Sequence, residues 1–142
     1  MEPRLSVLSL HVADVARSRD FYGALGWRAV GPEMDDVAFI QLNGVVLSLY
    51  ARQAQDAGLA APEGDAPSAR IALGHNVRTR DAVNGTLARF ASAGGRIVRQ
   101  GHDTDWGGRS AYAADPDGHL WEIAWNPFWP IGEDGAVTAK FD

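Results

Sequence analysis

LSVLSLHVADVARSRDFYGALGWRAV, residues 5–30, reads as strand, helix, strand. Leu5 to Val12 is a short β-rich run. Asp14 then offers an N-cap, and Phe21 and Leu25 stand four apart on one helical face. Gly26 supplies the stop, and Trp27 to Val30 resumes as a strand. RIALGHNVRTRDAVNGTLARFASAGGRIVR, residues 70–99, repeats that order: strand Arg70 to Val77, a helix capped by Thr79 and running to about Ala93, a Gly94-Gly95 stop, and a strand over Arg96 to Arg99.

Each copy continues with two more strands. In the first, Val37 to Leu42 and Val45 to Tyr50 flank Asn43-Gly44, a strong hairpin signal. In the second, Ser110 to Ala114 and His119 to Asn126 flank the turn Asp115-Pro116-Asp117-Gly118. The unit is βαβββ, written twice, so an α+β fold is expected. Laying the copies over each other matches Val12 with Val77, Gly26 to Val30 with Gly94 to Val98, and Gly44 with Gly118, which pairs Ser48 with Glu122. One such module has a sheet face left to cover, and two of them can enclose a cavity. The expected division is a first module over 1–51, a linker over 52–69 rich in Ala, Gly, Pro and Asp, a second module over 70–127, and a tail over 128–142. One helical turn is expected near Gln53 to Ala57.

The chain of 142 residues is 46% hydrophobic and 22% charged, which suits a folded domain with a real core. A net charge of -5 argues against nucleic acid or an anionic membrane as partner. There is no cysteine, which excludes disulfides, thiolate metal sites and a cysteine nucleophile, and fits a reducing cytoplasm. The start lacks a basic stretch followed by a long apolar run, so no signal peptide is expected, and no stretch is apolar enough to span a membrane. Neither a dinucleotide or phosphate-loop glycine pattern nor a nucleophile elbow occurs.

Three stretches resemble the vicinal-oxygen-chelate superfamily of glyoxalases, bleomycin resistance proteins and extradiol dioxygenases. They are LHVADVARSRDFYGALGW at 10–27, AGGRIV at 93–98 and YAADPDGHLWEIAWNP at 112–127. The DPDG turn followed by a strand carrying glutamate is the most specific. The resemblance covers about residues 5–127. It implies two βαβββ modules forming a half-open barrel around a cavity, and a homodimer. It also implies metal ligands at Val7, Ser48, Ala72 and Glu122. Of these only Glu122 ligates a metal well, whereas a divalent catalytic site takes about three protein ligands. No metal and no cofactor are therefore expected.

Strand alternation sorts the remaining candidates. Val7, Ser9 and His11 share a face. Ala72, Gly74 and Asn76 share another, which sends His75 to the opposite side. A His11, His75, Glu122 metal triad would thus need a bulge. Ser9, His11, Ser48, Tyr50, Asn76, Tyr112 and Glu122 are the expected polar lining of a ligand cavity, and Trp106, in the glycine-flanked loop DWGGR, is a candidate to close over it. His102 and His119 are expected at the surface. With Glu122 facing the cavity, Trp121 and Trp125 face away, toward a helix or a partner. Phe128-Trp129-Pro130 opens an apolar tail that covers either the cavity mouth or a second subunit. The leading expectation is a metal-free binder of a small organic molecule. The rivals are a proton-transferring enzyme using Glu122 and His11, a metal-dependent lyase or dioxygenase with substitute ligands, and a scaffold without a small ligand.

Overall fold

The computed structural model describes residues 1–51 and 71–141. The expected linker and its helical turn at 53–57 lie outside the described residues. The chain divides into two compact units, Met1–Pro67 and Ser68–Asp142.

In the first unit β1 (Val7–Val12) leads into α1 (Val15–Ala24), followed by β2 (Ala29–Val30), β3 (Val37–Gln41) and β4 (Val46–Ala51). The sheet order is β1-β4-β3-β2, with β1 parallel to β4 and the other pairs antiparallel. Asp14 caps α1, its side chain accepting the Arg17 N–H at 2.9 Å. The helix ends at Gly26, whose φ of 99° suits a residue without a Cβ, and the Trp27 N–H returns to the Tyr22 carbonyl at 2.9 Å. Tyr22, unremarked in the sequence pattern, is fully buried beside Phe21 and stacks on Trp27 at 5.9 Å. Phe21 and Tyr22, with Leu10, Val12, Ile40, Leu47 and Leu49, form the core between helix and sheet. Burying each aromatic ring contributes about 2–3 kcal/mol.

The second unit repeats the plan: β5 (Ala72–Asn76), α2 (Ala82–Ser92), β6 (Arg96–Asp103), β7 (Arg109–Ala114) and β8 (Leu120–Trp125), in the order β5-β8-β7-β6. Its core joins Val83, Leu87 and Phe90 of α2 to Trp121, Ile123, Ala111 and Ala113 of the sheet. The registers bear out the overlay of the two copies. Ser9 pairs with Ser48 in the first sheet and Gly74 pairs with Glu122 in the second, and the overlay matches the two pairs position by position. The architecture is α+β, with two βαβββ modules.

Several boundaries move, among them that of β2, which keeps only Ala29–Val30 of the strand expected over Trp27 to Val30. Thr79 Oγ1 does accept the Ala82 N–H at 3.3 Å, but residues 79–81 form a turn and the helix starts at Ala82. β6 runs on to Asp103 through two register shifts against β7, so His102 lies in a strand and not in a surface loop. Arg109 locks that extension: it donates to Asp103 at 3.0 Å and to the Gly101 carbonyl at 2.9 Å, while Arg80 holds Asp103 from the start of the helical segment at 2.6 and 2.7 Å.

Candidate functional site

The first unit contributes a polar strip on the sheet face opposite α1. Ser9 pairs with Ser48, and His11 pairs with Tyr50. Phe39 stands across from Ser48, and its ring meets Tyr50 edge-on at 6.5 Å. Alternation along β1 and β4 thus brings the four predicted residues Ser9, His11, Ser48 and Tyr50 onto one face. Ser48 is fully buried and its hydroxyl has no hydrogen-bond partner among the described residues.

In the second unit the corresponding face carries Glu122. Ser110 Oγ donates to Glu122 Oε1 at 2.7 Å, and the Tyr112 hydroxyl donates to the same oxygen at 3.1 Å. Tyr112 was expected on this side from its parity. Ser110, which has the same parity on the same strand, was missed, although nothing but its alternation with Tyr112 was needed to find it. Asn76 lies on this face too, across from Ala124. His102 stacks on Tyr112 at 6.5 Å, extending the strip toward the sheet edge.

A cavity of about 550 Å³ opens beside this carboxylate. Asn76, Glu122 and Trp106 line it, so the structure brings together three of the sequence-predicted residues. Ala124 and Asn126 add to the wall from the end of β8, and the tail supplies the rest: Phe128, Trp129, Lys140 and Phe141. The tail lies beyond the repeated pattern, and the sequence alone does not choose between its two uses. Here it doubles back on itself. Arg78 grips the carbonyls of Ile131 and Gly132 at 2.9 and 2.8 Å, Trp129 Nε1 donates to the Lys140 carbonyl at 3.1 Å, and Trp129 meets Phe141 edge-on at 5.8 Å.

Trp106 owes its position to the glycines around it. Gly107 takes a φ of +86°, and Gly108 donates to Thr104 Oγ1 at 3.1 Å. A Cβ on Gly108 would collide with the Trp106 ring, so the indole lies folded over bare backbone. It remains 44% exposed, as a cavity wall must.

The other histidines separate cleanly. His75 lies on the helix side, as alternation required. Burial above all, and Arg89 second, pull its pKa below the ordinary 6.5. His119, expected to be exposed, is instead largely covered: its Nδ1 meets Asp115 Oδ2 at 2.7 Å. The reason lies in the DPDG turn, where the buried Asp115 carboxylate also accepts the N–H groups of Asp117 and His119 at 3.0 and 2.9 Å.

The donor set does not fit the family's divalent metal. Val7 and Ala72 offer no ligand atom, Ser48 a neutral hydroxyl, and Glu122 is already engaged by two hydroxyls. Among the described residues no three His, Asp or Glu side chains gather in a metal-binding group.

The family model for the Glyoxalase/Bleomycin resistance protein/Dioxygenase superfamily matches residues 4–123. Among solved structures, a glyoxalase-related enzyme from Fulvimarina pelagi is 38% identical, with a TM-score of 0.87, and the match covers 96% of this chain and 98% of that one. A hypothetical protein from S. aureus is 24% identical over 89% of this chain and 95% of its own, with a TM-score of 0.74. A lactoylglutathione lyase from Agrobacterium tumefaciens is 19% identical over 91% and 98%, with a TM-score of 0.68, a likeness of fold. No curated protein matches.

Proposed function

The chain belongs to the glyoxalase/bleomycin resistance protein/dioxygenase superfamily, and within it we propose a metal-independent binder of a small organic molecule. The observation that carries the reading is Glu122. It occupies the family's ligand position on β8, yet Ser110 and Tyr112 hold it at the rim of a cavity walled by aromatic side chains. A buried or half-buried carboxylate needs such donors when no cation neutralises it. The volume of about 550 Å³ falls in the range of small-molecule sites. On this reading residues 1–51 and 70–127 are the two modules, 52–69 the linker and 128–142 a tail that completes the binding wall. Ser9, His11 and Tyr50 form a second polar strip available to ligand, with Ser48 buried among them. The working form is a cytoplasmic homodimer.

Native mass spectrometry of freshly purified protein tests the reading. The expected result is a retained organic molecule, or one acquired from a small-molecule screen, at one per site and without metal. Failure of every compound in a diverse screen to bind at millimolar concentration would count against it.

A second reading is a proton-transferring enzyme using Glu122 and His11. Its support is the description of the Fulvimarina pelagi protein as a glyoxalase-related enzyme. Turnover abolished by Glu122→Gln with ligand affinity intact would favour this reading over binding alone.

A further inference from the structure

We propose that the cavity of the second unit takes an organic cation with an N–H donor on a flat apolar body, such as an amidinium, a guanidinium or a protonated amine. The proposal rests on the binding reading above and names the chemistry of its ligand.

The charge comes from Glu122. Ser110 and Tyr112 both donate to Oε1, and Oε2 accepts no hydrogen bond among the described residues. Two hydroxyl donors on one oxygen hold the carboxylate's plane. The second oxygen is left as an oriented acceptor at a cavity wall. An N–H on a cation is the partner that satisfies its geometry and its charge together.

The walls agree with the floor. Trp106, Phe128, Trp129 and Phe141 line the cavity, four aromatic side chains around one carboxylate. An aromatic face attracts a cation and offers nothing comparable to an anion. Trp106 in particular is held in place by the Gly107-Gly108 turn, so little ordering is required when a flat group docks on it.

Lys140 is the one lining cation. No ion pair joins it to Glu122 among the described residues. Its backbone is fixed by Trp129, while its ammonium rides on a flexible stem that reaches water. It therefore opposes a bound cation weakly, where Glu122 favours one at short range. The alternative, an anion drawn by Lys140, would have to sit against a fixed carboxylate.

Three planar probes of one shape decide the charge: benzamidine, benzamide and benzoate, titrated by tryptophan fluorescence and by protein NMR shifts. Benzamidine should bind at least about tenfold more tightly than benzamide, with benzoate weakest. Glu122→Gln keeps an acceptor for Ser110 and Tyr112 and removes the charge, so it should erase the gap between benzamidine and benzamide. Lys140→Gln should raise benzamidine affinity about two- to threefold. Benzoate or benzamide binding as well as benzamidine, with Glu122→Gln without effect, overturns the cation proposal and leaves the binding reading standing. No shift by any of the three probes at cavity resonances overturns the cation proposal too, and the binding reading is then decided by the diverse screen.

Discussion

Glu122 Oε1 receives hydroxyls from two residues of the neighbouring strand, and each should have a separable effect. Ser110→Ala removes the shorter bond at a buried position, and about 1 kcal/mol of stability should go with it. Tyr112→Phe should cost less, because the ring still packs beside His102. Chemical denaturation measures both. Asp115 is a harsher case. Its carboxylate is nearly fully buried and serves two backbone N–H groups and His119. Asp115→Ala should cost about 1–3 kcal/mol, and Asp115→Asn, which keeps an acceptor, less. His75 supplies a pH dependence. Burial holds its folded pKa below the 6.5 of the unfolded chain. The unfolded state therefore takes up the proton first as pH falls, and this group's contribution, full above 6.5, is lost as pH drops through the folded value. His75→Gln should flatten that part of the profile of urea midpoint against pH between 7 and 5.

The elements were legible wherever their ends carry strict backbone chemistry. Asp14 and Gly26 bracket α1, Asn43-Gly44 turns with a φ of +74° at the glycine, and Gly118 takes +90° in the DPDG turn. These residues announce their conformations from sequence. Parity then placed Tyr112 and Asn76 on the face of Glu122, and His75 off it. What escaped is set by tertiary partners. β6 extends to Asp103 because Arg80 and Arg109 neutralise that aspartate, a pairing across 23 and 6 residues that no local pattern shows. The tail closes on the cavity through backbone carbonyls taken by Arg78, and a guanidinium's choice of carbonyl is invisible in composition. The Trp106 turn can be tested as an element. Gly108→Ala places a methyl where the indole lies. The ring must swing out, so a red-shifted tryptophan emission and at least about tenfold weaker ligand binding are expected. Unchanged emission would show that the glycine is dispensable to the wall.

At the scale of the whole molecule, the tryptophans of β8 change the argument for assembly. Trp121 is buried against Phe90 of α2 at 6.1 Å, and Trp125 is half-buried, lining a cleft with Val77, Pro130 and Ile131. Their apolar area is covered in good part inside their own unit, so the proposed homodimer rests on the family alone. Light scattering at micromolar concentration should still give twice the mass of a 15.2 kDa chain. A stable monomer would remove the dimer without touching the cavity. In that cavity Glu122, held by two hydroxyls, is proposed to serve an organic ligand in place of the superfamily's metal. Elemental analysis after incubation with Zn, Ni, Fe(II) or Mn and exhaustive dialysis tests it most directly, with Glu122→Ala run in parallel. Well under one-tenth of an equivalent of any of the four, on the order of background, is expected in both proteins. One tightly held equivalent per chain, present in the wild type and lost in Glu122→Ala, would contradict it.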